Sequence, residues 1–210
     1  MEKKFDFYED LDKITLDAKD VMNGSWGFCA KKMALMLLLA SVVLGGVITL
    51  CVLFPSWYVI TLCVVVGLIL ESAIYYGCEI FCLNLSSKLQ TTTADLFAGF
   101  RKIFKVIGVT LSSLFSFVFG LCLFVFFGFK FELSHSMSFF VSYQNPKQKP
   151  VDCLKQSRRL MNGNRTRLLK LRLKNFGYIL LCLTVIGSVW ALPYLLVNKS
   201  IFYNDLKTDF

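Results

Sequence analysis

Histidine occurs once among the 210 residues, proline four times, and charged residues make up only 18%. One histidine leaves most acid–base schemes short of parts. No G-x-S-x-G, H-E-x-x-H, P-loop or G-x-G-x-x-G pattern is present, which removes the nucleophile, zinc, phosphate and dinucleotide machinery those patterns build. The eight cysteines form no C-x-x-C pair and no zinc-type spacing. Most lie in apolar runs, where cysteine packs as a small hydrophobe. No catalytic residue, metal or cofactor is expected, and the protein reads as a non-enzyme. What is abundant is oil: 56% hydrophobic residues, 21 phenylalanines and a mean hydropathy of +0.60. Soluble domains run about 45–50% apolar and about 25% charged. The composition excludes a disordered chain and points to lipid.

A bilayer core needs about 20 apolar residues in a helix. The expected fold is therefore an all-α integral membrane helix bundle with about five transmembrane helices and two amphipathic cytoplasmic helices. Residues 1–32 read as a cytoplasmic amphipathic segment. Residues 33–146 read as a membrane bundle, with spans at about 33–54, 58–83, 103–127 and 129–145. Residues 147–174 form a basic cytoplasmic loop with its own amphipathic helix, and 175–210 hold the last span (Asn175–Val197, closed by Pro193 and Tyr194) and a tail. The stretch Ile103–Tyr143 is too long for one straight span and reads as a hairpin turning near Gly128; the alternative is one long kinked helix that leaves the membrane. About thirty polar residues precede the first apolar run, so that run is expected to anchor the chain, not to serve as a cleavable signal.

Lysine and arginine collect in cytoplasmic loops. Six lie before residue 33, four are Lys88, Arg101, Lys102 and Lys105, and ten fall in 147–174. With five spans these 20 of 23 share one side. This places the protein in the cell membrane as a multi-pass chain, N-terminus cytoplasmic and C-terminus outside, with the course of the tail after Pro193 open.

Leu11, Ile14, Ala18 and Val21 recur at helical spacing before Gly24, a C-cap candidate. Val151, Leu154, Leu160 and Met161 do the same before Gly163. The two units align without gaps, with Met22-Asn23-Gly24 over Met161-Asn162-Gly163. Ser157-Arg158-Arg159-Leu160-Met161-Asn162-Gly163, Leu168-Leu169-Lys170-Leu171, Asn175-Phe176-Gly177-Tyr178, Leu192-Pro193-Tyr194 and Phe202-Tyr203 together resemble the C-terminal signature of the bacterial family called domain of unknown function 975. Ala18…Met22-Asn23-Gly24-Ser25-Trp26 is similar to its opening motif, and Leu96-Phe97-Ala98-Gly99-Phe100 and Ser134-His135-Ser136-Met137 to its middle. The family's usual Pro-Gly pair is Phe127-Gly128 here. The resemblance implies a bacterial multi-pass membrane protein and implies no reaction.

Ionisable groups at membrane depth are functional candidates by default. Glu71, Tyr75 and Glu79 fall four apart on one helix face, with Lys130 and His135 as partner candidates by type. They read either as a proton- or cation-coupled cavity or as protonated groups hydrogen-bonded between helices. Glu132 and His135 form one Glu-x-x-His; di-iron bundles need two such pairs, so the di-iron reading fails, which leaves His135 as a polar packing residue or, as the lesser alternative, part of a mixed site with Glu132 and cysteine. Ser112, Ser113 and Ser116 read as helix-packing residues. The basic loop offers Lys155, Arg158, Arg159, Arg165, Arg167, Lys170 and Arg172 to anionic headgroups. Its charge follows from membrane orientation and it lacks interleaved aromatics, so no nucleic acid is expected.

Three functions follow as expectations. The first is a non-enzymatic scaffold, accessory subunit or protective factor, with anionic lipid as partner and another membrane protein or a second copy as further partners. The second is a small transporter or proton/cation-coupled permeation protein using Glu71 and Glu79. The third is an immunity protein against a membrane-active peptide. A cavity reaching both carboxylates favours the second; a tightly packed, dry interface favours the first.

Overall fold

The structure, a computed structural model, describes residues 7–89, 91–123 and 125–208. These form twelve helices, and no strand occurs among them. The chain runs α1 (Phe7–Met22), α2 (Trp26–Leu53), α3 (Trp57–Ser86), α4 (Thr93–Leu96), α5 (Ala98–Arg101), α6 (Ile103–Leu123), α7 (Val125–His135), α8 (Ser138–Gln144), α9 (Pro150–Leu160), α10 (Arg165–Lys174), α11 (Phe176–Leu181) and α12 (Val185–Thr208).

α1 buries Leu11, Ile14, Ala18 and Met22. Met22, rather than the expected Val21, completes the apolar stripe, because i+4 from Ala18 lies more squarely under the neighbouring helices. Gly24 then takes φ +81°, a left-handed cap that a Cβ would strain. α2 begins at Trp26, seven residues before the expected span. Cys29, Ala30, Met33 and Met36 continue its buried face while Lys31 stays exposed and Lys32 donates to Thr93 Oγ1 at 2.9 Å. After the Pro55 turn, α3 returns antiparallel to α2, with Gly67 against Val47. α2 and α3, of 28 and 30 residues, are long and apolar enough to cross a membrane. Little of either apolar stretch is covered by protein: Leu38, Val42, Ile48, Val52, Leu62 and Leu68 are all exposed.

The short α4–α5 segment lies directly on α3. The carbonyl oxygen of Leu96 would sit 1.8 Å from a Cβ at Gly77, and that of Ala73 would sit 2.1 Å from one at Gly99. Two glycines facing two carbonyls let the backbones touch.

α6 and α7–α8 form the expected hairpin. Lys105 Nζ, at the start of α6, donates to the carbonyls of Ser142 and Asn145 at the far end of α8. Gly108 of α6 receives Pro150, the first residue of α9, whose ring would lie 2.5 Å from a Cβ there. Gly128 falls inside α7 rather than at the reversal.

The last segment is not the single helix expected. Over Asn175–Val197 the helix breaks at residues 182–184, and α12 runs on through Pro193 to Thr208. Thr184 Oγ1 accepts the Gly187 N–H at 3.1 Å and so caps the start of α12. Pro193 is tolerated inside because Tyr194, Val197, Phe202 and Leu206 bury one continuous stripe, which outweighs the lost backbone bond. α10–α11 and α12 run antiparallel, tied by Arg167 Nη2 to Asp205 at 2.5 Å and by the Tyr178–Tyr194 ring contact at 4.4 Å. α12 also runs parallel to α3, so Asn204 donates to the Ser86 and Ser87 hydroxyls. The end of α12 therefore lies beside α1 and the end of α3 (Lys13, Asp17, Ser86, Asn204 and Asp205 line one groove), not at the opposite end of the bundle as five spans require.

Candidate functional site: a charged cleft

Between α3, α6, α7–α8 and α12 opens a cleft of about 620 Å³. Glu71, Tyr75 and Glu79 line it from α3, at the i, i+4, i+8 spacing that sets side chains on one helix face. Glu132 and His135 enter from α7. All five polar intramembrane candidates thus meet in one place. Leu68, Leu114, Phe117 and Phe139 supply apolar wall, and Ser72, Thr110, Ser113, Ser136 and Ser138 supply hydroxyls.

Glu79 is fully buried, and its Oε1 is paired with Lys199 Nζ. Its other oxygen, Oε2, has no hydrogen-bond partner. The Lys199 ammonium also lies over two ring faces, 5.7 Å from the centroid of Tyr75 and 5.4 Å from that of Phe140. Glu132 takes a bidentate contact from Arg172, with Nη1 to Oε2 at 2.9 Å and Nη2 to Oε1 at 3.0 Å. His135 is buried; Arg158 Nη2 donates to its Nε2 at 3.4 Å, and the Arg158 guanidinium stacks over Phe131 at 5.4 Å. Glu71 is half-buried, with no ion pair among the described residues. Thr110 Oγ1 is buried in the same cleft without a partner.

A second cavity of about 290 Å³ lies behind Tyr75 and Lys199, which line both spaces. Its lining includes Asn175, Asn198 and Arg172. Asn198 is buried, and its Oδ1 has no partner.

Partner choice departs from what residue type suggests. Lys130 is exposed and outside the cleft lining. Lys199 takes its place, although it reads in sequence as part of a tail; the apolar stripe Tyr194-x-x-Val197…Phe202 is the signal that this tail is still helix. Ser113, expected to pack between helices, faces the cleft.

The basic candidates separate into two groups. Lys155, Arg158, Arg159 and Lys170 are exposed; Arg165, Arg167 and Arg172 are half-buried. Arg167 and Arg172 are held by Asp205 and Glu132. Cys153, in α9, is fully buried, and that burial pushes its thiol above the usual range. No group of three or more metal-ligating side chains occurs among the described residues.

Fold and cleft define an all-helical protein with two membrane-length helices and a mostly apolar cleft into which charged side chains project. Residues 112–209 match the model of the family described as Protein of unknown function (DUF975). No curated protein and no solved structure matches. The matched residues contribute Glu132, His135 and Lys199 to the cleft; Glu71, Tyr75 and Glu79 lie before them. The family-like motifs mostly make packing. Ser157 Oγ donates to the Ser134 carbonyl at 2.9 Å, Met161 is buried, Gly163 takes φ +86°, and Tyr203 OH donates to Gln144 at 2.9 Å.

Proposed function

We propose that this is a non-enzymatic, multi-pass cell-membrane protein that binds a small cation or a proton in the Glu71–Glu79 cleft and passes it along that cleft. α2 and α3 cross the bilayer. The hairpins α6/α7–α8 and α10–α11/α12 enter from the basic end and return to it, so both termini are cytoplasmic. In this arrangement Lys207 joins the basic loops on the inner side, in keeping with the positive-inside bias.

The observation that carries the reading is the cleft itself. It reaches both carboxylates, holds a fully buried glutamate with one unpaired oxygen, and continues past Tyr75 and Lys199 toward a second cavity. A dry scaffold interface has no reason to keep such a group, because an unpaired buried acceptor costs about 1–3 kcal/mol. Glu71→Gln with Glu79→Gln, reconstituted into liposomes, is expected to lose most of the proton or cation flux of the unaltered protein while staying monodisperse in detergent. Unaltered protein no faster than empty liposomes would end this reading.

A lipid-facing role for the basic end stands beside it, supported by the exposure of Lys155 and Arg159 on α9. Each charge near an anionic surface contributes about 1 kcal/mol. Lys155→Ala with Arg159→Ala is expected to weaken binding to phosphatidylglycerol vesicles by about ten- to thirtyfold, measured by co-flotation of the detergent-solubilised protein. Equal binding by both forms would assign their charge to orientation alone.

A further inference from the structure

We infer that the cleft is a receptor for alkylammonium cations and that the Lys199 side chain is its tethered occupant. This rests on the cleft reading above and names its ligand class.

The Lys199 ammonium is held by a carboxylate oxygen of Glu79 and by the faces of Tyr75 and Phe140. A carboxylate with aromatic faces is how proteins hold ammonium groups. The chain's own four-carbon arm with its charged tip already fits there, so the seat has the dimensions of a primary alkylamine. The seat is also incomplete. Glu79 Oε2 is buried and unpaired, and it asks for one more N–H donor.

Charge points the same way. The cleft and its edge hold three carboxylates, Glu71, Glu79 and Glu132, and three cations, each already engaged: Lys199 on Glu79, Arg172 on Glu132 and Arg158 on His135. Among the described residues the carboxylate without a cation is Glu71, two helical turns along the same face from Glu79. An incoming anion would meet Glu71 and the free oxygen of Glu79 with like charge. A bare metal ion would find no cluster of three or more ligating side chains among the described residues and would waste the apolar wall of Leu68, Leu114, Phe117 and Phe139. An amine with a short alkyl body uses both halves of the lining.

Exchange has a place to go. Lys199 borders the second cavity, where the unpaired Oδ1 of buried Asn198 is an acceptor. When a ligand ammonium takes Glu79, the lysine arm turns into that cavity. Glu71 receives the ligand first, and Glu79 holds it.

The test uses the full chain in lipid nanodiscs with n-butylammonium as probe, against sodium at matched ionic strength and against butyrate. Calorimetric titration is expected to show saturable binding of n-butylammonium and none of butyrate. Glu71→Gln is expected to weaken that binding about tenfold. Lys199→Ala empties the seat, so its melting temperature should fall and be restored by n-butylammonium, saturably and by more than the rise seen in the unaltered protein. If Lys199→Ala does not fold, the Glu71→Gln comparison decides. No binding of n-butylammonium beyond that of sodium, or binding untouched by Glu71→Gln, overturns the inference. Proton flux without amine binding would sink the ligand class and leave the permeation reading standing. Amine binding without any flux would uphold the receptor and remove the transport step.

Discussion

Gly24 and Gly163 hold φ of +81° and +86°, a conformation that costs an L-residue with a Cβ roughly 1–2 kcal/mol. Neither would meet another atom on gaining a methyl group, so Gly163→Ala is expected to lose about that amount and no more. Gly77 is a different case. Its backbone is ordinary helix, but a Cβ would fall 1.8 Å from the Leu96 carbonyl oxygen, and neither backbone yields easily. Gly77→Ala should therefore cost at least the upper part of the about 1–3 kcal/mol range for overpacking, while Gly45→Ala, in open space, should be neutral or mildly stabilising. Thermal unfolding in detergent ranks the three, and equal losses would contradict the close approach of α4 to α3. Both cap glycines were legible in the sequence, because each follows an apolar stripe at helical spacing. The Gly77–Leu96 approach was not: it depends on which carbonyl a distant segment lays over the glycine.

Helix–glycine–helix units recur at α1–α2 and α9–α10. Met22 and Met161 are both fully buried, as are Ala18 and Ser157, one turn earlier. The aligned Met-Asn-Gly thus marks one local solution used twice: a buried methionine closes the amphipathic face and a left-handed glycine turns the chain into the next helix. The final hairpin had a weaker signal. Apolar residues continue through Leu181, Cys182 and Leu183 to Val185, interrupted only by Thr184, and a hydropathy reading passes through them without a break. The break comes from Thr184 accepting the Gly187 N–H, which starts a new helix in the middle of an apolar run. Replacing that cap, Thr184→Ala, is expected to cost about 1 kcal/mol, seen as a lower melting temperature. An unchanged melting temperature would mean that packing of α11 on α12 alone sets the reversal.

Across the whole molecule, the reversal at 182–184 decides where the chain ends. Five uninterrupted spans put the C-terminus opposite the N-terminus; the hairpin brings the end of α12 beside α1 and the Ser86–Ser87 end of α3. A fluorescent protein fused after Phe210 is expected to fluoresce in bacterial cells, while alkaline phosphatase fused there should be inactive. The opposite pair of outcomes would restore the five-span order. The amino-acid sequence by itself determined helicity, the apolar character of α2 and α3, the α6/α7–α8 hairpin and the face shared by Glu71, Tyr75 and Glu79, because periodicity and composition are local. Only the tertiary structure decided that Lys199 pairs with Glu79 and Arg172 with Glu132, 120 and 40 residues apart. Such pairs follow from which helices stand side by side, and that is settled by the packing of apolar stripes and glycine contacts summed over the bundle, which no single stretch of sequence contains.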